Sequence, residues 1–324
     1  MSVTAVIPNW NRRDLLLSLL RDWQGQSIGA TQTIVVDNGS TDGSARAAQD
    51  QGARVIALPE NRGFAYAVNR GIEAAQTEWI AILNNDVHLP VQWLERLLEA
   101  ARRQQVWFAT GRLLRAGESG TLDGSFDLLS RSACAWRAGN GKPDGSQWSG
   151  DRVIWSAPFT AALFRKSLFE KVGLLDERFE SYLEDVDFGL RCAKAGLSGI
   201  YVGSVAATHE ASATLGRWNP ETVRRIARNQ LLLVAKHYPA GWIWRYGWPV
   251  FIGQGLWGLV AAKHGAGGAY LRGKWEGFAA LRQQPRSLQE PNLDPLLRQS
   301  EEQIQTLQRA TGYDWFWRLY FLLT

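Results

Sequence analysis

Two cysteines in 324 residues, Cys134 and Cys192, are too few and too far apart for a disulfide framework or a cysteine-ligated metal. A reducing, cytoplasmic compartment is the expectation. No basic segment with an apolar core precedes the first strand, Val3 to Ile7, so secretion is not expected. No internal repeat of solenoid period is present. No glycine-rich GxGxxG pattern follows the first strand, which disfavours a dinucleotide fold of the dehydrogenase type. The uncharged run Tyr246 to Ala262 has 17 residues and contains Pro249, Gln254 and four glycines. It sits at the lower limit for crossing a bilayer, so lying in the interface is favoured over spanning.

What is present is an ordinary globular composition, 45% hydrophobic and 21% charged, which excludes disorder. The net charge of +5 is unevenly placed, for Arg217 onward holds 14 Lys and Arg against 7 Asp and Glu. Half of the 16 tryptophans lie there too. The chain is expected to divide near 215 into residues 1–215 and a basic, tryptophan-rich helical region, residues 216–324.

The first region alternates short apolar strands with helical segments. Strands are expected at Val3 to Ile7, Thr33 to Val36, Arg54 to Ala57 and Glu78 to Leu83. Helices are expected at Arg12 to Trp23, with Leu15, Leu16, Leu19, Leu20 and Trp23 on its apolar face, and at Ser44 to Gln51 and Phe64 to Ala75. That order implies βαβ units and a mainly parallel sheet. Pro90 is expected to open a helix carrying Trp93, Leu94, Leu97 and Leu98. Gly139 to Gly150 is a polar, glycine-rich loop, either functional or a plain surface excursion. Further on, a strand at Phe159 to Phe164, a helix at Asp185 to Ala195 and a strand at Gly199 to Val202 lead to His209.

Several polar residues sit where such a sheet binds ligands, at the carboxyl ends of strands. Asp37 ends the second strand before Asn38-Gly39-Ser40-Thr41-Asp42. It suits contact with a base or ribose, although a turn and helix cap would use the same residues. Asn61-Arg62-Gly63 opens a helix where a phosphate would be welcome, or simply caps it. The run Trp79 to Leu83 stops in Asn84-Asn85-Asp86, and one strand-end carboxylate suits a hard cation completed by phosphates and water. Glu184, Asp185 and Asp187 fall in a helix's first turn, where they are either caps or neighbours that raise one pKa into the range of a base. His209 is a structural histidine or a metal ligand.

In this order, Val6-Ile7-Pro8-Asn9-Trp10-Asn11, Val35-Val36-Asp37-Asn38-Gly39-Ser40, Glu60-Asn61-Arg62-Gly63-Phe64, Leu83-Asn84-Asn85-Asp86-Val87, Leu175-Asp176-Glu177-Arg178-Phe179 and Tyr182-Leu183-Glu184-Asp185-Val186-Asp187 resemble the family 2 inverting glycosyltransferases. That family has the GT-A fold, a Rossmann-like α/β domain. The chain is most similar to its bacterial rhamnosyltransferase-type members, over residues 3 to about 212. The resemblance implies a donor pocket of Pro8, Asn9, Asp37, Asn61, Arg62 and Gly63, with Asn84 and Asn85 near the sugar. It implies Asp86 and His209 toward a Mg2+ or Mn2+ ion, Asp185 as base steadied by Glu184, and Asp176 near the acceptor. Asn84 stands where the family's Asp-x-Asp element has its first carboxylate. Trp155 to Thr160 lacks the small glycine usual there.

The expected activity moves a sugar from a dTDP-, UDP- or GDP-sugar to a lipid-linked or cell-surface glycan. A nucleotidyltransferase on a related sheet and a silent nucleotide-sugar-binding scaffold are the alternatives. The tail, with Trp315 to Leu323 as a second short anchor, is expected to meet an anionic membrane at the cytoplasmic face, peripherally and without nucleic acid. A helical subdomain packing its tryptophans inward is the other reading.

Overall fold

The computed structural model describes residues 2–29, 32–210, 218–283 and 292–324. The boundary expected near 215 lies outside the described residues. The chain forms two compact units, one from residues 1–126 and 139–211, the other from residues 127–138 and 212–324.

The first unit holds β1 (Val3–Asn9), α1 (Arg13–Gln24), β2 (Gln32–Asp37), α2 (Ser44–Asp50), β3 (Arg54–Ala57), α3 (Phe64–Ala74) and β4 (Trp79–Leu83). It continues through β5 (Val87–His88), α4 (Trp93–Arg103), β6 (Phe108–Arg115) and β7 (Leu122–Gly124). A hairpin of β8 (Asp127–Leu129) and β9 (Ala135–Arg137) belongs to the second unit. The first unit then resumes with β10 (Arg152–Ile154), β11 (Ala161–Arg165), α5 (Lys166–Val172), α6 (Glu184–Lys194) and β12 (Gly199–His209).

The main sheet runs β10-β12-β6-β11-β4-β1-β2-β3. β4, β1, β2 and β3 are parallel neighbours, as are β6 and β12. β11 is antiparallel to both β4 and β6, so the sheet is mixed. Trp79 to Leu83 are all fully buried, as a strand covered by helices on both faces must be. On α1, Leu16, Leu19, Leu20 and Trp23 fill the core, whereas Leu15 is only half-buried.

Two expectations change, and a third reading gains detail. Pro90 lies ahead of its helix, and its carbonyl accepts from Trp93 N at 2.9 Å, so α4 starts at Trp93. The strand after Gly199 does not stop at Val202, because an irregularity between Val202 and Ala206 lets β12 continue to pair with β6 as far as His209. The loop after Gly139, read from the sequence as either functional or a plain surface excursion, is pinned within the first unit. Its Trp148 is fully buried, Tyr201 donates to the Trp148 carbonyl at 2.6 Å, and Asp144 pairs with Arg112 at 2.7 Å.

The second unit combines the hairpin with α7 (Pro220–His237), α8 (Trp242–Lys263), α9 (Gly267–Gln283), α10 (Leu293–Thr311) and α11 (Trp315–Leu323). Glu301 of α10 holds the hairpin, accepting from Arg131 N at 2.8 Å and Arg131 Nε at 2.6 Å, while Tyr320 of α11 donates to it. Among the described residues, no helix is long and apolar enough to cross a membrane.

Candidate active site

β1 and β2 end together, with Asn9 opposite Asp37, and β4 ends beside them. Their terminal residues therefore share one edge. Asn9 is buried there and bridges the strands: its Nδ2 donates to Asp37 Oδ1 at 3.2 Å, and its Oδ1 accepts from Asn85 Nδ2 at 2.7 Å. The other Asp37 oxygen accepts from Ser40 N at 3.1 Å. Both Asp37 and the Asn84-Asn85-Asp86 element are thus tied to one buried amide. Pro8 is buried within β1, opposite Val36.

Asn38, which reads in the sequence as a turn former, clips the next loop in place. Its Oδ1 accepts from Arg62 N at 2.9 Å, and its amide donates to Asn61 Oδ1 and to the Gly63 carbonyl. Arg62 is exposed, its guanidinium lying 4.7 Å from the centre of the Tyr66 ring. Gly63 in turn lies against Glu180, where an added Cβ would come within 2.9 Å of the Glu180 carbonyl oxygen. That same oxygen accepts from Ala65 N at 3.0 Å.

From Glu180 the chain enters α6 through strained backbone. Glu180, Tyr182 and Leu183 all have left-handed φ, between 58° and 74°. Three non-glycine residues in that region within four positions are costly, and such strain clusters where a site needs it. The reward is an abrupt turn that delivers Glu184 and Asp185, both buried, in the first turn of α6. Asp187 is a structural anchor instead: fully buried, it pairs with Arg191 at 3.0 Å, which also donates to the Gly173 and Leu174 carbonyls. The Asp185 carbonyl accepts from Ser156 Oγ at 3.3 Å, and a few residues on Thr160 O accepts from Asn84 N at 2.8 Å. These contacts close a ring through Asn85, Asn9, Asp37, Asn38, Gly63, Glu180, Asp185 and back to Asn84. Asp176, by contrast, caps a short turn, its carboxylate accepting from Arg178 N and Nε.

His209 ends β12 with both ring nitrogens against carboxylates, Nδ1 2.8 Å from Asp123 Oδ2 and Nε2 3.1 Å from Asp86 Oδ1. Burial alone would lower its pKa, but the hydrogen bonds and charges of Asp123 and Asp86 prevail and hold it at about 9. Asp123 went unmarked in the sequence. Nothing local flags it, because its partner is 86 residues away and the pair forms only when β7 and β12 flank β6.

The same cluster suits a hard cation. Asn84 Oδ1 is buried without a hydrogen-bond partner and Asp86 Oδ1 faces the His209 ring; a carboxylate and an amide oxygen suit Mg2+ or Mn2+, and the imidazole can join them once it gives up its proton. Among the described residues, no group of three or more His, Cys, Asp and Glu is arranged to hold a metal. A cation here would therefore draw its remaining ligands from bound phosphate and water.

The family model "Glycosyl transferase family 2" matches residues 4–173, which is more than half of the chain. The chain belongs to glycosyl transferase family 2. As a member it is a glycosyltransferase. An N-acetylglucosaminyl-diphospho-decaprenol L-rhamnosyltransferase of Mycobacterium tuberculosis H37Rv is 29% identical over 242 residues, covering 65% of this chain and 76% of that protein. The O-antigen biosynthesis protein RfbC of Myxococcus xanthus is 28% identical, covering 65% of this chain but only 17% of that one. A crystal structure of GalNAc-T7 with UDP, GalNAc and Mn2+ aligns over 79% of this glycosyltransferase and 51% of its own chain, with TM-score 0.62 at 13% identity. That likeness establishes the GT-A-like α/β fold.

Proposed function

We propose that this glycosyltransferase inverts configuration, moving a sugar from a nucleoside diphosphate donor to a hydroxyl of a lipid-linked or cell-surface glycan. The ring of contacts from Asn85 through Asn9 and Asp37 to Asp185 carries the reading, because it fixes a donor-side carboxylate and a buried base on one continuous frame. Asp185 takes the proton of the acceptor hydroxyl, whose oxygen attacks the anomeric carbon. The bond from that carbon to the diphosphate oxygen breaks, and the nucleoside diphosphate leaves. Glu184, buried beside the base, steadies it. Asp37 and Asn9 meet the nucleoside, the Asn61-Arg62-Gly63 loop completes that pocket, and exposed Arg62 stands ready for phosphate oxygens.

Asp86 and His209, with Asn84, would hold a Mg2+ or Mn2+ ion, which when bound neutralises charge on the diphosphate. Asp123 keeps the His209 ring oriented from its far side. Transfer of a deoxyhexose such as rhamnose is favoured by the M. tuberculosis relative, whose name also specifies a diphospholipid acceptor.

The test is a panel of dTDP-, UDP- and GDP-sugars, with and without Mg2+ or Mn2+, read by nucleoside diphosphate release with a polyprenyl diphosphate-linked acceptor. One donor should turn over, with the product anomer inverted. Pyrophosphate release, or retained configuration, would overturn the reading.

A further inference from the structure

α8 is apolar along both its inward and its outward face. Inward it buries Tyr246, Val250 and Leu256, while Trp244, Trp248, Phe251 and Leu259 stand outward, Trp244 being 94% exposed. The outward residues follow a spacing of four, three and eight, so they form one stripe along the helix. A helix apolar on both faces is ordinarily covered on both, and among the described residues nothing of the second unit covers this one. α11 continues it. Leu322 is 76% exposed and Leu323 is also exposed, and Trp248 Nε1 donates to the Leu323 carbonyl at 2.7 Å, joining the two stripes edge to edge.

We propose that the joined stripe of α8 and α11 is a docking surface for the headgroup and upper acyl region of an anionic bilayer. Charge selects this occupant. Neither helix contains an acidic residue, while α8 carries Lys263 and α11 carries Arg318, both exposed, and Arg245 of α8 is exposed but paired with Asp294 of α10 at 2.9 Å. Apolar and aromatic side chains bordered by cations are the pattern of helices lying in the plane of an anionic membrane. A second copy would fit poorly, since the same patch on a partner offers no acidic residue to meet Lys263 or Arg318. Because no described helix is long and apolar enough to cross, α8 lies along the surface.

The outward tryptophans are thereby separated from the inward ones. Trp317 is buried, stacking on Phe321 and meeting Trp136 edge-on, and serves the second unit's own core. Trp244 and Trp248 serve the bilayer. Docking is independent of the transfer reading, because flotation requires no turnover.

The experiment uses the full chain with vesicles of phosphatidylglycerol and phosphatidylcholine in equal parts, and with phosphatidylcholine alone. The wild type should float with the anionic vesicles, and brominated lipid should quench its tryptophan emission. Trp244→Ser with Phe251→Ser, at exposed positions of the second unit, should weaken partitioning by about tenfold or more while far-ultraviolet circular dichroism and the melting temperature stay unchanged. Lys263→Gln with Arg318→Gln should remove the preference for anionic over neutral vesicles. Wild type left in the soluble fraction with both compositions would overturn the proposal. A dimer in solution that the Trp244→Ser, Phe251→Ser pair dissociates would overturn it in favour of a second copy.

Discussion

Gly63 offers the sharpest test of the frame, because its side chain is a single hydrogen and its neighbours are backbone. With φ at 87° and ψ at 168°, it occupies a conformation essentially reserved for glycine, which alanine enters at a cost of about 1–3 kcal/mol. A Cβ would also lie 2.9 Å from the Glu180 carbonyl oxygen and 3.1 Å from Glu180 Cα. Ordinary contact begins near 3.4 Å. Neither atom can swing aside as a side-chain tip would, so the Asn61 loop and the Glu180 segment must part by about 0.5 Å, and Gly63→Ala should cost roughly 2–4 kcal/mol in all. The displaced segment feeds the strained Tyr182 and Leu183 into α6, so Asp185 moves with it. Misplacing a catalytic group by a fraction of the reacting distance lowers turnover steeply, here by about 10²-fold, with donor affinity reduced much less. Gly52→Ala is the control. Gly52 also has positive φ, at 81°, but an added Cβ there meets nothing within 4 Å. It should cost about 1 kcal/mol and leave turnover alone. Denaturant unfolding, donor titration calorimetry and nucleoside diphosphate release measure the three quantities. If Gly63→Ala matches Gly52→Ala in both stability and turnover, the coupling of the donor loop to the base is refuted.

Asp185→Asn should leave donor affinity nearly intact while lowering transfer by about 10²–10⁴-fold, the range for a lost general base; unchanged turnover would remove Asp185 from the mechanism. Asp123→Asn should weaken Mn2+ binding by about 10–100-fold, read by electron paramagnetic resonance of the free ion in the presence of nucleoside diphosphate; wild-type affinity would show that Asp123 does not orient His209. Lys274, in the second unit, is buried with its ammonium donating to the Ala227 carbonyl and Gln230 Oε1, and burial lowers its pKa to about 7. Between about pH 7 and the ordinary lysine range the unfolded chain then holds a proton that the folded chain lacks. Wild-type stability should rise with pH across that window, by at most about 1.4 kcal/mol per unit, while Lys274→Met shows no such rise; parallel profiles would refute the depressed pKa.

How much of this was legible depended on how local each cause was. The βα alternation was readable because buried strands such as Trp79 to Leu83 are short unbroken apolar runs, while α4 shows its core face at Trp93, Leu94, Leu97 and Leu98. Asp37 and Asn85 were readable as site candidates because a parallel strand's carboxyl end is a fixed address in such a sheet. Direction was not. β11 pairs antiparallel on both sides, yet its five residues, Ala161 to Arg165, look like any other buried strand. The hairpin at 127–137 was equally silent, since what draws it to the second unit is a long-range set of polar contacts: Leu129 N donates to Ser300 Oγ at 2.9 Å, and Arg131 pairs with Glu301.

The strain before α6 was hidden for the opposite reason, that local preference argues against it. Tyr182 and Leu183 are poor residues for left-handed backbone, and a reading by propensity would put glycine or asparagine there. Their presence makes sense once the Glu180 carbonyl is seen to be claimed by Ala65 N and hemmed in by Gly63, because the chain must then turn sharply to place Glu184 and Asp185 at the helix start. Strain on one side of that contact and an obligatory glycine on the other are two halves of one device. The glycine alone could be read from the sequence, and only as a member of Asn61-Arg62-Gly63. Its partner lies more than a hundred residues downstream, where only the folded sheet brings the two segments together.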